Sequence, residues 1–186
     1  VRKIRYLKLK KITPNHNLNK KLTVSITAKF ERFLFLDLTL KSIFSQSINP
    51  DEIILWIENK DKKKIPNKII KMKKYGLKIL FCKNLKSYNK IIHTIKIRKN
   101  NYIITFDDDI IYDEKSIEFL IKKSKNYKKA IVANRIHKII LDNNNLPIEY
   151  KNWKWNSTKK KKNKLNFQTG VYGVLYPPKC FYKDVL

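Results

Sequence analysis

Three consecutive aspartates, Asp107, Asp108 and Asp109, follow the apolar run "YIITF" in a chain of 186 residues with a formal charge of +28. Carboxylates crowded in this way raise one another's pKa unless a cation lies among them. In an extended segment Asp107 and Asp109 point to one side and Asp108 to the other. Two same-side carboxylates form a donor set for a divalent cation that prefers oxygen, Mg2+ or Mn2+. As turn or capping acids, one aspartate would be enough. Asp113 already stands where the next helix needs its cap. The pattern therefore predicts a metal site.

Such a site needs a rigid frame, and the rest of the chain supplies one. Short apolar runs predict strands at 22–27, 52–57, 77–82, 102–106 and 130–134. "EIILWI" is continuous, as in a strand buried on both faces. Between the runs, apolar residues recur at helical spacing: Phe33, Leu36, Leu40, Ile43 and Phe44, then Ile91, Ile92 and Ile95, then Ile117, Leu120 and Ile121. Pro66 opens and Gly76 closes another helix, and Ser87 and Asp113 are read as caps. Strand and helix alternating in this order predict an α/β fold. Its core is a mostly parallel, Rossmann-like sheet flanked by helices. Ligands of such sheets bind beyond the carboxyl ends of the strands, where the three aspartates fall. Residues 1–21 read as a flexible basic lead-in and residues 22–186 as a single domain. After residue 134 the alternation breaks: Asn143 to Asn145 mark a turn, and the lysine run at 159–164 reads as a mobile loop. "GVYGVLYPP" resumes as a strand that leads into a helix start.

The charge comes from 43 Lys and Arg against 15 Asp and Glu, and only five of the bases are arginine. Nucleic-acid surfaces lean on arginine forks and interleaved aromatics. Lysines spread along the whole chain predict a solvated basic surface, with no specific nucleic acid and a weak attraction to anionic membranes. Cys82 and Cys180 have no metal-ligand spacing and suit a reducing compartment. No apolar run approaches membrane-helix length and no secretory signal is present, so the expected location is the cytoplasm or the inner face of the membrane. His16 and His93 carry no signal, and His137 reads as structural.

At this point the sequence resembles a family. "VSIT" with Arg32, "QSINPDEIILWIE", "SYNKII", "FDDDI", "NRIHKI" and "TGVYGVLYPP", in this order, resemble a bacterial glycosyltransferase of the GT-A fold, close to family 2, of the kind that builds surface polysaccharides. The resemblance covers residue 22 to the end of the chain. It implies that Thr27, Ala28 and Arg32 line the nucleotide of a sugar donor, with Glu58 near it and Lys90 facing the phosphates. It implies that Asp107 and Asp108 contact the donor, and that Asp107 and Asp109 hold Mn2+ or Mg2+ on the diphosphate. Gly170, Tyr172, Gly173 and Trp155, with Trp153 beside it, would shape the acceptor side.

The implied reaction passes a sugar from a nucleotide diphosphate sugar to a saccharide or lipid-linked hydroxyl, with inversion. A carboxylate base for that hydroxyl is expected beyond Leu186, because no acidic motif of the family's kind follows "VLYPP" within these residues. Two other classes compete. A nucleotidyltransferase shares the sheet and the metal aspartates, but it commonly carries a glycine-rich phosphate loop where this chain reads "SITAKFER". A non-enzymatic nucleic-acid binder would explain the charge and leave the aspartates without a task.

Overall fold

The structure is a computed structural model that describes Ile4 and residues 7–127, 129–157 and 162–185. Its centre is a six-stranded sheet in the order β3-β2-β1-β4-β8-β5. The strands are β1 (Leu22–Ala28), β2 (Glu52–Glu58), β3 (Leu77–Cys82), β4 (Tyr102–Phe106), β5 (Val132–Ala133) and β8 (Val174–Tyr176). β1 pairs in parallel with β2 and β4, and β2 with β3. Every residue of β2 is buried, as its unbroken apolar run requires.

The predicted fifth strand runs in the same direction as the first four but does not neighbour β4. Strand β8 enters between them and pairs antiparallel with both. Sequence spacing alone cannot show such an insertion, because it joins residues about seventy positions apart. A second, two-stranded sheet pairs β6 (Ile136–Lys138) antiparallel with β7 (Asn166–Gln168).

The helices are α1 (Leu36–Phe44), α2 (Asn67–Ile70), α3 (Asn89–Arg98) and α4 (Ser116–Asn126). Leu36, Leu40 and Ile43 of α1, Ile69 of α2, and Ile117, Leu120 and Ile121 of α4 pack with Val24, Ile26, Leu55 and Phe106 in the main core. On the opposite face, Ile91 and Ile95 of α3 pack on Ile103, Val174 and Tyr176. Gly76 ends the Pro66 segment in the left-handed conformation at φ 112°, as a C-terminal glycine should.

Two predicted caps are corrected. Ser87 lies in a single 3-10 turn ahead of α3 and makes no cap bond to it; Asn89 Oδ1 instead accepts from Leu85 N at 2.7 Å. Asp113 Oδ1 accepts from Lys115 N at 2.9 Å, one turn too early to cap α4. Gln46 does that work from α1's far end: its Oε1 accepts from Ile117 N at 3.0 Å and its Nε2 donates to Asp113 O at 2.6 Å.

The lead-in has no helix or strand between residues 7 and 21, yet it lies along the domain. Ile12 N donates to Tyr75 O at 3.0 Å. Asn15 Nδ2 donates to Ser47 O at 3.0 Å, and His16 Nε2 meets Asp51 Oδ2 at 2.8 Å. Leu9, Ile12 and Leu18 pack on the main core. The lysine run falls partly on residues 159–161, which lie outside the described residues.

Candidate active site at the carboxyl edge of the sheet

The parallel register brings three strand ends to one edge. Thr27 lies opposite Trp56, Ala28 opposite Ile57, and Ile26 opposite Phe106, so Thr27, Glu58 and Asp107 emerge side by side. Glu58 is buried, with Lys60 Nζ 3.0 Å from its Oε2. It lines a depression of about 170 Å³ with Lys29, Glu31, Lys60, Asp61 and Asn84, beyond the ends of β1, β2 and β3. Of these lining residues only Glu58 stood out in the sequence. The others sit in loops whose lysines and acids look like ordinary surface.

The aspartates depart from the strand alternation expected of them. β4 stops at Phe106 and the chain turns through Asp108 and Asp109, so the strand's alternation does not set where these side chains go. Asp107 pairs with Lys90 Nζ. Asp108 turns inward, its side chain only 7% exposed, and meets Arg32 Nη1 at 2.7 Å. Thr39 Oγ1 donates to its carbonyl at 3.0 Å. Burial holds the Asp108 carboxyl above the usual range despite the Arg32 guanidinium. Asp109 lies 3.0 Å from the same guanidinium nitrogen, and its side chain is 53% exposed. Asp108 is thus held inside by Arg32, and Asp109 shares the same guanidinium while staying half-exposed. Arg32 itself is stabilised as a cation, chiefly by its bond to Asp108.

The turn is fixed from several directions. Asp107 N donates to Tyr112 Oη at 2.7 Å, and Tyr112 Oη donates to Asp107 O at 3.2 Å. The Tyr112 ring lies 4.0 Å from that of Phe106, and burial pushes the phenol's pKa up, so it stays a donor. Lys90 is placed from behind the sheet: Ser25 Oγ donates to Lys90 O at 2.5 Å and shares a 2.7 Å bond with Thr94 Oγ1. Trp56 Nε1 donates to the same Thr94 oxygen at 2.7 Å. Neither Tyr112 nor the Ser25–Thr94–Trp56 chain was visible in sequence.

The predicted acceptor residues separate into two places. A Cβ at Gly170 would lie 2.8 Å from both carboxylate oxygens of Asp107, so this backbone closes directly on the acid. Gly173, at φ 93°, faces inward: a Cβ there would meet the Phe106 ring at 2.5 Å, a core contact and not a sugar. Between them Tyr172 holds φ 68° with an exposed ring. Trp155 stands away from these glycines, in an aromatic group over the second sheet, 4.8 Å from His137 and 5.2 Å from Tyr150. His137 is buried, and its Nδ1 accepts from Asn156 N at 3.0 Å.

The glycosyl transferase family 2 profile matches residues 23–184. The chain belongs to that family. It therefore carries an enzyme domain of the nucleotide-sugar transferase superfamily. Among solved structures, 4-diphosphocytidyl-2C-methyl-D-erythritol synthase from Anaerococcus prevotii is similar at a TM-score of 0.51 and 18% identity, covering 86% of this chain and 71% of that one. At that identity it supports the fold alone. A CMP:2-keto-3-deoxy-manno-octonic acid synthetase complexed with CTP matches at 0.49 and 8% identity, covering 86% of this chain and 75% of that one. No curated protein matches the sequence.

For a divalent cation, the donor set is partial. Among the described residues no group of three or more His, Cys, Asp or Glu side chains converges on one point. Asp107 and Asp109 offer hard oxygen ligands of the right kind, and a diphosphate and water complete such a shell in sites built this way. Both carboxylates pair with side-chain cations, Lys90 and Arg32, which a divalent ion would have to displace or share.

Proposed function

We propose that the carboxyl edge binds a nucleotide diphosphate sugar and transfers its sugar to an acceptor hydroxyl. The observation that carries this reading is Asp109, a half-exposed carboxylate held beside Arg32 and next to the Lys90–Asp107 pair. The nucleoside would lie over Thr27 and Ala28, toward the depression that Glu58 lines. The diphosphate lies toward Asp107 and Asp109, where Lys90 and Arg32 add positive charge. Asp107 and Asp109 would hold Mn2+ or Mg2+, which when bound offsets the negative charge that grows on the departing diphosphate.

The chain's own residues do the rest. Tyr112 and Thr39 fix the turn, so its charges need not reorganise during transfer. Asp108 keeps Arg32 aimed at the edge. Gly170 lets the acceptor-side backbone meet Asp107 closely, and Tyr172 offers an exposed ring for a saccharide or a lipid-linked sugar.

The test is a binding and turnover panel of UDP-, GDP- and dTDP-sugars with and without Mn2+. Metal-dependent binding, with release of the nucleotide, is expected. Release of pyrophosphate from a nucleoside triphosphate would instead support nucleotidyl transfer. Failure to bind any donor would sink the reading.

A further inference from the structure

The second sheet carries an aromatic group that the donor site does not use. His137 and Phe167 are directly opposed across β6 and β7, so they share one face. Tyr150, Trp153 and Trp155 gather on that face: Tyr150 lies 5.1 Å from Trp153 and 6.3 Å from Phe167, and Trp153 lies 5.4 Å from Phe167. The group seals His137, which is 1% exposed, yet leaves Trp155 at 48%, Tyr150 at 47% and Phe167 at 41%. Three neighbouring aromatics that wet do more than a structural cluster needs.

The other side of the ribbon is cationic. Lys138 bridges to Lys154, and both alternate along the chain with the aromatic positions His137, Trp153 and Trp155. Lys151, Lys162 and Lys164, in the segment that joins β6 to β7, are also exposed. The acids between β6 and β7 are Asp142 and Glu149, and Glu149 is paired with Lys151. The ribbon thus carries aromatic rings on one side, Lys138 and Lys154 on the other, and further exposed lysines in the segment that joins its strands. Tyr and Trp prefer the boundary between headgroups and acyl chains, and lysine stems reach back to lipid phosphates.

We propose that this aromatic face of the β6–β7 ribbon docks the protein on an anionic bilayer surface. Thr169 and Gly170 follow β7 directly, and Gly170 closes on Asp107. Docking through the ribbon therefore brings the acceptor side of the edge next to the lipid. The docking itself does not depend on the donor reading, since it needs no nucleotide.

The test is co-sedimentation with phosphatidylcholine vesicles containing about one-third phosphatidylglycerol, against pure phosphatidylcholine. Tryptophan quenching by brominated acyl chains is read in parallel. Trp56 is buried in the sheet, so quenching reports Trp153 and Trp155. Binding to the anionic vesicles with strong quenching is expected. Tyr150→Ser with Phe167→Ser should weaken binding about tenfold, with the melting profile checked on each variant. Lys71→Gln with Lys73→Gln, in the 3-10 turn before Gly76, should leave it within about twofold. The proposal is overturned by equal binding in the aromatic double variant, by an equal loss in the lysine control, or by binding without quenching. It is overturned as well if soluble oligosaccharide, and not vesicles, changes the tryptophan signal.

Discussion

The two ends of the central sheet hold carboxylates in opposite ways. At the amino end of β2, Glu52 is closed off: Arg98 Nη2 lies 3.0 Å away, Lys78 Nζ 2.7 Å and Thr23 Oγ1 2.8 Å, and Arg98 Nε also contacts it. At the carboxyl end, Asp109 has one shared guanidinium nitrogen and open solvent. Glu52 has its hydrogen-bonding capacity filled by the fold itself. Asp109 has capacity to spare. The contrast separates an acid enclosed by the fold from one left half-exposed, in a strongly basic chain.

The largest expected effect comes from opening the carboxyl end. Asp107→Ala should lower sugar transfer by roughly 100-fold or more while shifting the melting temperature little. A kinetic assay beside a thermal melt checks both. A large fall in melting temperature with unchanged transfer would erase the distinction between the two ends. The reverse substitution, Glu52→Gln, should cost about 3 kcal/mol, because it strips charge from a buried carboxylate that two cations depend on. Donor affinity should stay as in the wild type, measured by the same titration.

The pH dependence sharpens the same comparison. Burial alone would raise the Glu52 pKa, but Arg98, Lys78 and Thr23 hold it down to about 2, from an ordinary 4.5. A folded pKa below the unfolded one adds stability above pH 4.5 that is lost as pH falls toward 2. The full loss is about 3 kcal/mol. Chemical denaturation across that window should show the fall in the wild type and a flatter profile in Glu52→Gln. An identical slope in both would place the acid sensitivity elsewhere.

The smallest effects concern the helix behind the aspartates. Gln46→Ala should cost about 1–2 kcal/mol, since it removes bonds to Ile117 N and Asp113 O. Asp113→Ala should cost less than about 1 kcal/mol, because only its bond to Lys115 N is lost. Denaturant titrations of the two variants decide the order; a larger cost for Asp113→Ala would restore it as the cap.

What the sequence made legible was local. The apolar runs of β1 to β4 and the left-handed glycine after the Pro66 segment follow from period, run length and backbone freedom within a few residues. The strand ends that share the carboxyl edge follow from that alternation. The features that escaped are long-range or depend on where a strand stops. Gln46 caps a helix 71 residues away, and β8 slips between β4 and β5. Ser25 reaches Thr94 behind the sheet, and Ile12 fills the space over Gly76, where a Cβ would lie 2.6 Å from its Cγ1. The different partners of Asp107 and Asp109 have a local cause: the strand ends at Phe106, just before the first of them, and in the turn Asp107 meets Lys90 while Asp109 meets Arg32.

We infer that Asp109 would hold a cation against a donor diphosphate. The direct measurement is a titration of sugar-nucleotide binding to wild type and Asp109→Asn, with and without Mn2+, beside a thermal melt of each. Mn2+ should strengthen binding to the wild type, and Asp109→Asn should lose about tenfold or more of that gain while melting at nearly the same temperature. Equal Mn2+-dependent binding by the two proteins would contradict it.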